Sequence, residues 1–256
     1  MKKDISQAVR EVCLWFPEAE EALSHGTPDF RVRGKTFATY VINHHGDGRI
    51  ALWLNSPAGA QALYTSEEPK HFFIPPYVGP RGWLGVHLDK GIAWKRVAKL
   101  VREAYEKLAP PALISQLGKT IEIKPPTMTL APEDFDPMQS KRAQVVLKAV
   151  RKIFLALPET AQDKQFGQPV WRAGKKVFAG ISFYGKLRLE LSFWVGVDQQ
   201  GMLTADKRYT IPAYMGHNGW IALDVTKSAN WGEIGELALH SYRHFALRRM
   251  LSALGE

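Results

Sequence analysis

Cysteine is nearly absent from this chain. Cys13 stands alone in 256 residues, which excludes an internal disulfide and any metal centre built from several thiolates. On an amphipathic stretch it reads as a small core residue. Long apolar runs are missing too: none in the sequence reaches the ~20 residues needed to cross a bilayer. The opening MKKDISQAVREVCLWF interleaves charged and apolar residues as an amphipathic helix does, not as a signal peptide does. A cytoplasmic protein with no membrane partner is expected. There is no Gly-rich phosphate loop, no nucleophile elbow and no diagnostic spacing of Ser, His and Asp. The chain is therefore expected to be no enzyme and to need no cofactor.

Acidic residues are the next deficit, and it is local. The full chain carries 34 Lys+Arg against 25 Asp+Glu, a net charge of +9. Residues 1–136 hold 17 Lys+Arg and 16 Asp+Glu, whereas residues 137–256 hold 17 and 9, so the second half carries +8 of the excess. A basic domain of this kind attracts nucleic acid, anionic surfaces or acidic partners through its long-range field. With 45% hydrophobic and 11% aromatic residues the rest of the composition is that of a globular protein.

What the sequence does hold is a repeat. IPPYVGPRGWLGVHLDKGIAW from Ile74 and IPAYMGHNGWIALDVTKSANW from Ile211 share Ile, Pro, Tyr, Gly, Gly, Trp, Lys and Trp at matched positions. PEAEEALSHGTPDFRVRGKTFA from Pro17 likewise matches PETAQDKQFGQPVWRAGKKVFA from Pro158. The offsets are 137 and 141, so the second copy is four residues shorter between the blocks, and the turn NHHGDG (Asn43 to Gly48) against YGK from Tyr184 is the expected place. A unit of this length makes two similar domains, each with its own core, and not a solenoid. The expected division is residues 1–117, a linker over 118–137 marked by Pro125, Pro126, Pro132 and Pro137, and residues 138–256.

Inside each copy the apolar pattern alternates with period two. In LRLELSFW, Leu187, Leu189, Leu191 and Phe193 face one way and Arg188, Glu190, Ser192 and Trp194 the other; in RIALWLN, Ile50, Leu52 and Leu54 oppose Arg49, Ala51 and Trp53. Trp53 and Trp194 are expected at equivalent outer-face positions. Leu84, Val86 and Leu88, matched by Ile221, Leu223 and Val225, form a further core strand from whose other side Trp83 and Trp220 project. Long helices follow, with stripes Trp94, Val97, Val101, Tyr105, Leu108 and Trp231, Ile234, Ala238, Tyr242, Phe245. Each copy thus reads as helix, antiparallel strands, helix: an α+β layer with helices on one sheet face and the other face free.

These elements resemble the MmcQ/YjbR-like family, whose pattern they follow nearly throughout. The matching elements are Pro17-Glu18, Gly26-Thr27-Pro28, Phe37-Ala38 and Gly82-Trp83, then Pro158-Glu159, Gly167-Gln168-Pro169, Phe178-Ala179 and Gly219-Trp220. The chain departs from the usual single-domain member by its doubling, and its second copy lacks the acidic pair present in the first. The resemblance implies two tandem copies of a frataxin-like (CyaY-like) antiparallel sheet with helices on one face. It also implies DNA binding, with no catalytic residues to carry over.

His240 and His244 stand i, i+4 on one helix, the spacing of a two-histidine metal site, but HSYRH lacks a metalloprotease glutamate and has no counterpart in the first copy. Iron would need a carboxylate ridge; the first copy has Glu11, Glu18, Glu20 and Glu21, the second only Glu159 and Asp163. No metal is expected. The remaining candidate is a nucleic-acid surface made of Arg172, Lys175, Lys176, Lys186, Arg188, Lys207 and Arg208 with the aromatics Trp194 and Trp220 interleaved, suited to phosphate contact and base stacking. The alternative is a protein-interaction or small-ligand module that docks its partner on the exposed sheet face. The partners left are thus DNA, RNA or a protein.

Overall fold

Asp4 accepts a hydrogen bond from the Gln7 N–H while its own N–H donates to the Gln7 side chain, a reciprocal cap that starts helix α1 (Ile5–Cys13). Its apolar stripe Ile5, Ala8, Val9 and Val12 is buried. The computed structural model describes residues 3–24, 26–184 and 188–255; Lys186 and Leu187 of the sequence reading lie outside them. The described chain divides into two units, Met1–Phe135 and Asp136–Glu256.

In the first unit α1 is followed by β1 (Ala19–Ser24), β2 (Thr27–Val32), β3 (Lys35–Ile42), β4 (Ile50–Leu54), α2 (Ala60–Glu67), β5 (Phe72–Phe73), β6 (Leu84–His87), α3 (Trp94–Leu108) and the short α4 (Pro111–Ile114). In the second come α5 (Lys141–Phe154), β7 (Thr160–Gln165), β8 (Gln168–Ala173), β9 (Lys176–Tyr184), β10 (Arg188–Trp194), α6 (Val197–Leu203), β11 (Tyr209–Thr210), β12 (Trp220–Asp224), α7 (Trp231–Phe245) and α8 (Arg248–Ser252). Each unit builds one six-stranded sheet with the same order, β1-β2-β3-β4-β6-β5 and β7-β8-β9-β10-β12-β11. All pairings are antiparallel. Even the bulge recurs, at Phe30/Arg31 and at Trp171/Arg172. The fold is α+β, two tandem sheet domains.

The core of each unit lies between helices and sheet. Val97, Val101 and Tyr105 of α3 meet Phe30, Phe37, Leu52 and Val86, and Ile234, Ala238 and Tyr242 of α7 meet Trp171, Phe178, Leu191 and Leu223. Trp231 departs from its expected core stripe: it is 38% exposed, where Trp94 is 7%. The Tyr105 hydroxyl donates to the Pro17 carbonyl at 2.7 Å and the Tyr242 hydroxyl to that of Pro158 at 2.8 Å. Each proline precedes a glutamate in the left-handed region, Glu18 at φ 52° and Glu159 at φ 49°. Of residues 118–137, the stretch up to Phe135 sits in the first unit. There Ile121, Ile123 and Leu130 pack against the core, and the Thr127 N–H donates to the Lys3 carbonyl.

The register corrects one expected equivalence. Leu54 lies opposite Ala38 and Leu84, and Phe193 opposite Ala179 and Ile221. Trp53 therefore corresponds to Ser192, and Trp194 to Asn55, just past β4. Gln61 and Gln200 correspond as well, since each amide donates to the two matched carbonyls, Gly79 and Trp83 or Gly216 and Trp220. The shortening comes in two equal steps, one at the β3–β4 hairpin and one between Gln61 and Phe72. Losing an even number of residues leaves every side chain on its own face, so the alternation of the sequence hides the shift.

Candidate nucleic-acid interface

The outer sheet face of the first unit is closed by its own chain. Trp53 and Trp83 are buried with Val41 and Ala51, with Phe73 and Val78 against them. His44, in a 3-10 turn between β3 and β4, sets its ring 4.9 Å from that of Trp53. Burial, with a smaller push from His45, lowers the His44 pKa to about 4. In the second unit Trp220 is 9% exposed and packs near Phe245, ring centres 5.8 Å apart. A flat, open aromatic platform is therefore not what the strands present.

The expected basic residues of the second unit fall into two sets. Three arginines are held by carboxylates: Arg172 Nε by Asp163 at 2.7 Å, Arg188 by Glu190 at 2.9 Å and Asp224 at 3.2 Å, and Arg208 by Glu233 at 2.8 Å and Asp206 at 2.7 Å. Glu190 is only 6% exposed, and burial raises its pKa against the pull of Arg188. Arg208 grips Glu233 through both Nη atoms, lowering the Glu233 pKa and raising its own. Lys175, Lys176 and Lys207 form the other set; all three are exposed and take part in no ion pair among the described residues. Trp194 belongs to neither. Its indole N–H donates to the Asn218 carbonyl at 2.9 Å and its ring stacks on His244. The i, i+4 pair His240 and His244 thus serves as a floor for Trp194, whose ring centre is 5.7 Å and 3.4 Å from theirs.

A surface that the sequence reading passed over lies on α5. The helix begins at a Ser140 cap, whose hydroxyl accepts from the Ala143 N–H. It buries Ala143, Val146, Leu147, Val150 and Phe154. Lys141, Lys148 and Lys152 are exposed on the opposite side, 7 and then 4 positions apart, which on a helix of 3.6 residues per turn is a single stripe. Arg142 and Arg151 flank it, and α5 contains no carboxylate. Arg142 donates to the Val225 carbonyl and Arg151 to Gln162 Oε1 at 2.7 Å. The signal was present in KRAQVVLKAVRKIF, where five cations meet no acid; it needed a charge count along one helix instead of one over half the chain.

The model of the YjbR family matches residues 14–107 and, separately, residues 155–244. The chain belongs to the YjbR family. Each YjbR segment spans the six strands of one unit and nearly all of its long helix, α3 or α7, while α1 and α5 lie outside both matches. A crystal structure of a Deinococcus radiodurans protein, DR2400, with the family domain DUF419, is similar at 18% identity. That similarity covers 47% of this YjbR chain and 94% of the other, with a TM-score of 0.38. No curated protein matches. Among the described residues no group of three or more His, Cys, Asp or Glu converges as metal ligands. No helix of the described residues is long and apolar enough to cross a membrane.

Proposed function

We propose that this YjbR protein binds nucleic acid without catalysing a reaction, and that the second unit makes the contact. The observation that supports this reading is the segregation of charge between two units of one topology: residues 1–136 carry 17 Lys+Arg against 16 Asp+Glu, residues 137–256 carry 17 against 9. Since the two sheets have the same order and bulge, the excess is not demanded by the fold. Lys175, Lys176 and Lys207 are the sheet-side residues free to meet phosphates, while Arg172, Arg188 and Arg208 would have to leave carboxylates to do so. The frataxin-like likeness belongs to the same proposal as a statement about shape alone.

The test is a titration of the full chain with duplex DNA and with RNA at several salt concentrations. Phosphate contacts release counterions, so the logarithm of the affinity should fall linearly with the logarithm of salt, by about 0.9 per contact on duplex DNA. Affinity that does not respond to salt would rule the reading out.

A second reading, protein docking, draws on one duplicated feature. Tyr77 and Tyr214, at matched places of the two IP-x-Y loops, both have left-handed backbones, φ 62° and 67°, and are 59% and 87% exposed. A strained, solvent-facing aromatic is a feature of recognition surfaces. Capture of a protein that Tyr214→Ala abolishes would favour it.

A further inference from the structure

We infer that the outer face of α5 is where this chain meets the phosphodiester backbone of a nucleic acid, an assignment that rests on the reading above and locates it. The matched helix of the first unit supplies the comparison. Pro17 and Pro158 anchor the correspondence, each followed by a left-handed glutamate and each bonded to the tyrosine of the long helix. Counting back from them, Arg10 corresponds to Arg151, Glu11 to Lys152 and Gln7 to Lys148.

At these positions the first unit is neutralised and the second is not. Arg10 is held by Glu21 through two bonds, at 2.8 and 2.9 Å, and Glu11 by Lys3 at 2.6 Å. In the second unit the residue matching Glu21 is Gln162, which accepts a hydrogen bond from Arg151 but cancels none of its charge. Glu20 is replaced by Ala161. Thus one carboxylate has become a lysine and two more have been lost on one helix and the edge strand beside it, and the one acid gained on that strand, Asp163 in place of Ala22, is paired with Arg172. Lys141, Lys148 and Lys152 take part in no ion pair among the described residues.

The spacing suits a phosphate chain. At 1.5 Å per residue the three lysine positions lie about 10 and then 6 Å apart along α5, within reach of successive or alternate phosphates for flexible side chains. The stripe is lysine rather than arginine, with no aromatic or carboxylate on it to read a base edge, which is the composition of a sequence-blind contact. An anionic lipid surface would also attract the charge. The outward side of α5, however, offers only Val145 and, just beyond it, Leu155 as exposed large apolar residues, too little to insert beside the cations.

The decisive measurement compares the full chain with two triple variants, K141Q/K148Q/K152Q on α5 and K35Q/K70Q/K119Q at exposed lysines of the first unit, in fluorescence anisotropy with duplex DNA and duplex RNA probes over a salt series. Circular dichroism checks that both fold as the parent does, which exposed substitutions should leave unchanged. The α5 variant should lose at least tenfold in affinity near 0.1 M salt and lower the slope on DNA by nearly three, while the second variant retains most of its affinity. DNA against RNA affinity of the parent distinguishes the two sources of the backbone. A parent with salt-sensitive binding that both variants keep overturns the α5 assignment alone. Absence of salt-sensitive binding in the parent overturns both this inference and the reading beneath it, as does α5-dependent binding to phosphatidylserine vesicles without binding to either duplex.

Discussion

The indole of Trp194 lies parallel to the imidazole of His244, with ring centres 3.4 Å apart and planes inclined by 9°. In the first unit the matching strand-end and helix positions are Asn55 and Lys107, where Lys107 Nζ donates to Asn55 Oδ1 at 2.7 Å. One location, where the strand leaves the sheet and passes the last turns of the long helix, is thus tied down in both units, by an amide–ammonium bond in one and an aromatic stack in the other.

The stack makes Trp194 a structural residue. Trp194→Ala should lower the stability of the second unit by about 1 kcal/mol for the aromatic pair, seen as an earlier urea midpoint. The slope of nucleic-acid affinity against salt should not move. A large loss of affinity at unchanged stability would instead place the indole against the ligand.

Arg188 offers a sharper test, because its partner is buried. Replacing it by Met leaves the Glu190 carboxylate, 6% exposed, without its cation, and an uncompensated buried charge costs about 3 kcal/mol. Burial already raises the pKa of Glu190, and loss of Arg188 raises it further. A carboxyl whose folded pKa lies above its unfolded value binds more protons when folded, so the variant should regain stability as pH falls from 7 towards 5. Thermal melts across that range decide it: a deficit independent of pH would mean that the pair carries little of the energy.

These two residues also measure what the sequence disclosed. The alternation of LRLELSFW sets Leu189, Leu191 and Phe193 apart from Arg188, Glu190, Ser192 and Trp194, and the first three do join the core, while Trp194, at the strand's end, stacks on His244 of α7. What period-two reasoning does not supply is the register, since a two-residue loss at a hairpin preserves faces: the alternation pairs Trp53 with Trp194, where the ladder pairs it with Ser192. Nor could it show that Arg188 meets Glu190 and Asp224, because Asp224 comes from a strand distant in sequence. The long helices and core strands were legible because burial imposes a period. The closure of the outer face was not, because it depends on a loop held by the Gln61 and Gln200 side chains, and loop conformation leaves no periodic trace.

That loop clamp is itself testable. Gln200 is 5% exposed and donates to the Gly216 and Trp220 carbonyls, both at 2.7 Å. Gln200→Leu leaves two carbonyls without their partner and should cost about 2 to 3 kcal/mol. Gln61→Leu should do the same in the first unit. Hydrogen exchange should speed up first in residues 204–219 of the Gln200 variant; uniform exchange would show that the amide does not hold the loop.

His44 carries a pH dependence of known sign. Its pKa of about 4 lies below the ordinary 6.5, so the folded state resists the proton that the unfolded chain accepts. The stability from its neutral ring is fully present above pH 6.5 and is lost as pH falls through 4, on the order of 1 kcal/mol once solvent screening is allowed for. His44→Gln should flatten this part of the stability profile. An equally steep loss in the variant would assign it to other groups.

The two strained tyrosines separate stability from recognition. At φ 67° and 87% exposure, Tyr214 keeps a backbone conformation that asparagine or glycine adopts at lower cost. Its side chain gains little from burial in return. Tyr214→Asn should therefore raise stability by about 1 kcal/mol. Tyr77 has the same backbone at φ 62°, but its hydroxyl lies 2.9 Å from His45 Nε2 and its ring 5.9 Å from that of His44. Tyr77→Asn should come out near neutral, the relief of strain offset by the lost contacts. If Tyr214→Asn destabilises as well, the aromatic is held by packing within its own loop, and docking through this residue loses its physical basis.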